Sequence, residues 1–157
     1  MNPQKDATGT RLKSLLAAWI TMIFGTSALL YLASPINFRT YSENQLLNFF
    51  YSTWEIADEV GPVVKLSIIA LFALLVSIAD RLVSHKTWIR YGVSAGLAVL
   101  TTVVVLGFLP ENYSRGFGIG LTGSRFDHQT LRVYLIGSIL GGLVYTYALQ
   151  RHQKRSA

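Results

Sequence analysis

The sequence predicts an all-α membrane protein: a polytopic bundle of four transmembrane helices with a further amphipathic helix on its outer face. Three observations predict it. Of 157 residues, 51% are hydrophobic and only 14% charged, against about 25% charged in soluble domains. Four apolar runs each approach the ~20 residues that a helix needs to cross the hydrocarbon of a bilayer. Lysine and arginine gather on one side of those runs. The length fits one membrane domain, residues 1–157.

The first run, Ser14–Ala33 (SLLAAWITMIFGTSALLYLA), carries no charge. Its basic start (Lys5, Arg11, Lys13) suits a signal peptide, but its apolar stretch exceeds the usual 7–15 residues. Bulky Tyr31 also stands where cleavage wants a small residue, so the run reads as a retained signal anchor. The second run, Pro62–Ala79, holds only Lys65, near its start. The third is Tyr91–Leu109, and the fourth is Leu131–Leu149, with Arg132 at its edge. All four are apolar around the whole helix, the pattern of a span rather than a half-buried helix.

Charge sets the orientation. Lys5, Arg11, Lys13, Arg81, Lys86, Arg90, Arg151, Lys154 and Arg155 lie on one side with only Asp6 and Asp80. Arg39, Lys65, Arg115, Arg125 and Arg132 lie on the other with six acids: Glu43, Glu55, Asp58, Glu59, Glu111 and Asp127. The positive-inside rule puts both termini and the 80–90 turn in the cytoplasm, and residues 34–61 and 110–130 outside. The expected location is a bacterial inner membrane. The pI of about 9.8 then reports topology and attraction to anionic membrane lipid, not a nucleic-acid partner.

Gly118–Gly123 reads G-I-G-L-T-G, the string of dinucleotide-binding turns. Here it follows a span rather than a strand, and it faces away from the cytoplasmic nucleotide pool. Leu143 stands where a ribose-binding acid belongs. No nucleotide is expected, and the glycines serve turns in an outer loop.

The other outer loop contains Asn44–Val60. Ser42 with Gln45 fits a capping box, and Gly61-Pro62 supplies a stop. Leu46, Leu47, Phe50 and Trp54 form one apolar stripe, and Phe49, Ile56 and Val60 a second. This predicts an amphipathic helix on the outer boundary or packed over the bundle. Acids at its C-terminal end (Glu55, Asp58, Glu59) oppose the helix dipole and want a cation. Lys65 is the nearest, either snorkelling to pair with Glu59 or Glu111, or serving an ion path or partner contact. Arg132 has Asp127, Glu111 or lipid phosphate within reach, and Asp80 is expected to pair with Arg81 at the inner boundary.

Two G-x-x-x-G motifs, Gly92/Gly96 and Gly137/Gly141 with Gly142 following, permit close helix approach in lipid. Packing of the third span on the fourth is expected, with a homodimer as the other use. Catalytic signals are missing. The three histidines lie outside the spans, no metal-ligand motif occurs, and no cysteine is present. Ser124, Asp127 and His128 share a glycine-rich loop that lacks the rigidity of a triad. Neither an enzyme nor a cofactor or metal is expected. Charge-free span interiors also disfavour an ion-coupled transporter.

The layout resembles the four-span inner-membrane immunity proteins of pore-forming bacteriocins, the colicin A type. The resemblance rests on the basic N-terminal tail, the long outer loop with a helical middle, and the GPVV entry to the second span (Gly61–Val64). It continues through the basic inner turn at Arg81–Arg90, the polar outer loop from Glu111 into the last span, and the basic tail. It implies a non-enzymatic protein that waits in the producer's membrane and binds the toxin's channel-forming helices before they open. The resemblance carries no functional residue across; read from the outer face itself, Phe50, Trp54, Glu59, Lys65, Arg125, Asp127 and Arg132 are the candidate contacts. An accessory or assembly subunit of a larger membrane complex, or a small transporter or channel, are the alternative readings.

Overall fold

In a computed structural model of the chain, residues 3–33, 43–82, 86–109 and 128–156 are described. They fold as α1 (Pro3–Ile20), a π-helical turn (Thr21–Gly25), α2 (Thr26–Ala33), α3 (Gln45–Glu59), α4 (Pro62–Leu82), α5 (Thr87–Phe108) and α6 (His128–Ser156). The fold is all-α, and no strand occurs among the described residues. Four helices are long and apolar enough to cross a membrane: Thr8–Ala33, Pro62–Arg81, Thr87–Phe108 and Leu131–His152. The first of these, 26 residues long, runs from Thr8 within α1 through the π turn and α2 as one continuous helix.

The spans pack as a ring in the order first, fourth, third, second, and the first–second edge is the slimmest. Each turns a buried stripe toward the others, at four-residue spacing on the first and second. The stripes are Ser14, Ala18, Met22 and Thr26 on the first, Val64, Ile68, Phe72 and Val76 on the second, and Tyr134, Ser138, Tyr145 and Leu149 on the fourth. A straight α-helix drifts by about 40° over each four-residue step, so such a stripe wanders off its partner. The wider π turn at Thr21–Gly25 unwinds that drift and brings Thr26 back toward the fourth span. It also buries Ile23 and Ser27 beside Met22 and Thr26, giving this half of the helix two packed faces.

The second face is covered by α3. Asn44 caps this helix, accepting from the backbone N–H of Leu46 at 3.0 Å, so the cap is Asn44 rather than a box begun at Ser42, which lies outside the described residues. Gly61, at φ 81°, then turns the chain into Pro62, and only glycine adopts that backbone without strain. Along α3, Asn48 Nδ2 donates to Tyr31 Oη at 3.3 Å and Phe49 meets Tyr31 edge-on at 5.5 Å. Further on, Trp54 lies 5.7 Å from Phe24. As α3 advances its partners recede from Tyr31 to Phe24, so it runs back alongside the first span instead of lying across the bundle top.

Small residues decide which helices touch. A Cβ on Gly137 would strike Thr26, and one on Gly141 would strike Met22 with Ala18 O at 3.1 Å, so this G-x-x-x-G pair faces the first span. Gly142 alone faces the third span, against Ser94 and Ala95. Gly92 and Gly96 meet nothing within 4 Å. The third span does pack on the fourth, but through Ser94, Ala95 and Ala98, because its glycines lie on the opposite side of the helix. That corrects the expectation that Gly92 and Gly96 make the contact.

Candidate functional site

Two polar or unpartnered regions stand out, one at each end of the bundle. At the end carrying the long loops, α3 buries Ser52, Thr53, Ile56, Ala57 and Val60 and exposes Leu46, Leu47, Phe50, Tyr51 and Trp54. Phe50 is 60% and Trp54 65% exposed. Of the two stripes read from the sequence, the one with small neighbours is buried against the first span, and the bulkier one is largely exposed, with Trp54 reaching Phe24 at the edge of the seam. Ser52 Oγ and Thr53 Oγ1 are buried with no hydrogen-bond partner among the described residues, so the seam beneath α3 has unmet polar capacity. Glu55, Asp58 and Glu59 end the helix, and Lys65 Nζ stands 3.9 Å from Asp58 Oδ1. Trp19 Nε1 donates to the Lys65 carbonyl at 2.8 Å, tying this corner to the first span.

Of the other residues singled out in the sequence, Arg132 is exposed at the start of α6. Arg125, Asp127, Glu111 and the Gly118–Gly123 string lie outside the described residues, as does Ser124. His128 begins α6.

At the basic end, sequence reading expected Asp80 to pair with Arg81. The structure corrects this: Arg81 is exposed, and consecutive helical residues do not face each other. Asp80, its side chain only 12% exposed, is held by Arg90 at 3.2 Å from the third span and approached by Arg11 at 3.6 Å from the first. Above this clasp Ser94 Oγ donates to the Gly142 carbonyl at 2.9 Å and lies 2.6 Å from Thr146 Oγ1. Thr146 reaches the Arg90 carbonyl at 3.4 Å. Higher in the same seam, Ser138 Oγ sits 2.7 Å from Thr102 Oγ1 and 2.7 Å from the Tyr134 carbonyl. These hydroxyls join α5 to α6, where buried polar groups act as helix glue.

Arg11, Arg90, Ser94 and Thr146 were not singled out from the sequence. A signal existed for the inward turn of Asp80 and Arg90. Asp80 continues the four-residue stripe of Val64, Ile68, Phe72 and Val76, and Arg90 stands four before Ser94 and eight before Ala98.

Among the described residues no group of three or more His, Asp or Glu side chains is placed to hold a metal ion. The site can pack, pair charges and donate hydrogen bonds. The fold and these two ends define a class: a multi-pass helical membrane protein with an apolar helix flanking its first span. No protein-family model matches the chain, and no curated protein or solved structure is significantly similar to it.

Proposed function

We propose that this is a non-enzymatic protein of a bacterial inner membrane, with both termini in the cytoplasm, that binds a membrane-inserted protein partner through its outer half. The specific reading is an immunity protein that blocks a pore-forming bacteriocin. The observation that carries it is the exposed row of Leu46, Phe50 and Trp54 on α3, alongside the first span.

The physical argument concerns what can dock in lipid. Acyl chains solvate an apolar helix face as well as another apolar helix does, so shape and aromatic contacts set the preference. Rings such as Phe50 and Trp54 add about 0.5–1.5 kcal/mol per aromatic pair beyond area alone. A toxin's channel helices enter from the outer side and would meet α3 before reaching the bundle interior. The acids at the end of α3, with Lys65 and Arg132, supply the charge pattern by which one toxin is told from another. The layout resemblance to immunity proteins supports the same reading.

The test is protection. Sensitive cells expressing the chain should survive a channel toxin encoded beside its gene, and Leu46→Ala with Phe50→Ala should abolish survival at unchanged membrane levels. Equal killing with and without the protein defeats the immunity reading. Co-purification of stable partner subunits in mild detergent would then favour an accessory subunit.

A further inference from the structure

Asp80 accepts from Arg90 through Oδ1 and has the Tyr145 hydroxyl as a hydrogen-bonding neighbour, but Oδ2 is buried with no well-formed hydrogen bond from any described residue. Arg11 comes within 3.6 Å of it, too far for a hydrogen bond. A carboxylate oxygen withdrawn from solvent in this way is costly unless something donates to it. Beside it lies a half-open cavity lined by Asp80, Arg90, Ser94, Tyr145 and Thr146, with Val76 and Leu97 among its apolar walls. It leaves about 20 Å³ for the centre of a water molecule, above the ~10–15 Å³ that one water requires.

We propose that this cavity is a binding site for one resident water molecule that completes the coordination of Asp80. The water donates one hydrogen to Asp80 Oδ2 and the other to a hydroxyl oxygen of Thr146 or Ser94. Its own lone pair accepts from the Arg90 guanidinium, which has five N–H groups and spends one on Oδ1. That gives the water the two to four polar partners such a site needs. A sodium ion in the same space would face Arg90 directly, with Arg11 nearby, and their charges repel it. The water's role is architectural. Arg11, Asp80 and Arg90 clasp the first, second and third spans, and the water carries the clasp to Thr146 on the fourth.

Radiolytic footprinting in lipid nanodiscs tests this, because a bound water yields hydroxyl radicals beside buried rings that bulk radicals do not reach. Tyr145 lines the cavity and is 3% exposed. It should label in short exposures alongside exposed Tyr147. Ala79 also lines the cavity, and filling it with Ala79→Leu should cut Tyr145 labelling several-fold and leave Tyr147 unchanged. Thr146→Val, which keeps the shape and removes one partner, should cut it in the same direction and serves if the filled variant does not fold. Unlabelled Tyr145 in the parent protein, or labelling indifferent to both changes, overturns the proposal. So does labelling that falls when sodium replaces choline in the buffer, which would assign the cavity to a cation.

Discussion

Gly142 on the fourth span and Ser94 on the third meet backbone to backbone: a Cβ on the glycine would lie 2.5 Å from the serine carbonyl oxygen and 2.6 Å from Ala95 Cα. Backbone cannot swing aside as a side chain can. Gly142→Ala should therefore force the two helices apart and cost about 1–3 kcal/mol, seen as a lower melting temperature in detergent. Gly96→Ala places its methyl in open space and should be neutral or slightly stabilising. Gly141→Ala should fall between, since Met22 Cγ belongs to a flexible side chain that can move. Equal effects at positions 96 and 142 would show that the third and fourth spans meet on other faces.

The clasp at the basic end gives a second contrast. Asp80→Ala strands Arg90 at the helix boundary and should cost about 1.5–3 kcal/mol, the range for hydrogen bonds to charged groups. Arg81 is its sequence neighbour but exposed, and Arg81→Ala should stay within about 0.5 kcal/mol. A double-mutant cycle of Asp80 with Arg90, read by thermal unfolding, should show coupling. The same cycle with Arg81 should show none.

These contrasts mark where the sequence was legible. The four spans were, because length and apolarity are read without knowing any neighbour. The partner of a small residue was not. Gly92/Gly96 and Gly137/Gly141 carry the same motif, yet one pair faces the first span and the other faces no helix among the described residues. Asp80 next to Arg81 suggested a pair by adjacency, where the stripe through Phe72 and Val76 pointed inward instead. On α3 both stripes are apolar, and amphipathicity learned from water does not say which faces a helix and which faces lipid. Bulk decided: Ser52 and Ala57 let α3 approach the first span, while Phe50 was left outside and Trp54 only flanks the seam. The π turn had no sequence signal, since the second span carries the same four-residue stripe on an unbroken α-helix.

The slim edge between the first and second spans hangs on few polar contacts. Trp19→Phe removes the donation to the Lys65 carbonyl while keeping most of the ring. That carbonyl sits inside α4, where the helix's own ladder still satisfies it, so the loss should be modest, about 1 kcal/mol. Trp19 fluorescence should report the bond. Its emission in the parent protein should differ from that of Trp88, which is 74% exposed, and a Trp54→Phe, Trp88→Phe background isolates it.

The π turn makes the most specific demand on the first span. A π turn is one residue longer than the α turn it replaces, so deleting one residue inside Thr21–Gly25 should return the segment to α geometry without turning the flanking helices. Ala18 would still face Gly141, and Thr26 would still face Gly137. Deleting Ala28, outside the turn, should instead rotate Tyr31 by about 100° away from Asn48 and Phe49, its partners on α3. Deletion of Ile23 should thus leave a folded bundle of somewhat lower melting temperature, because one buried side chain is lost. Deletion of Ala28 should release α3, read as protease access or hydrogen exchange across residues 45–59. If both deletions behave alike, the turn is not compensating the drift of the stripe.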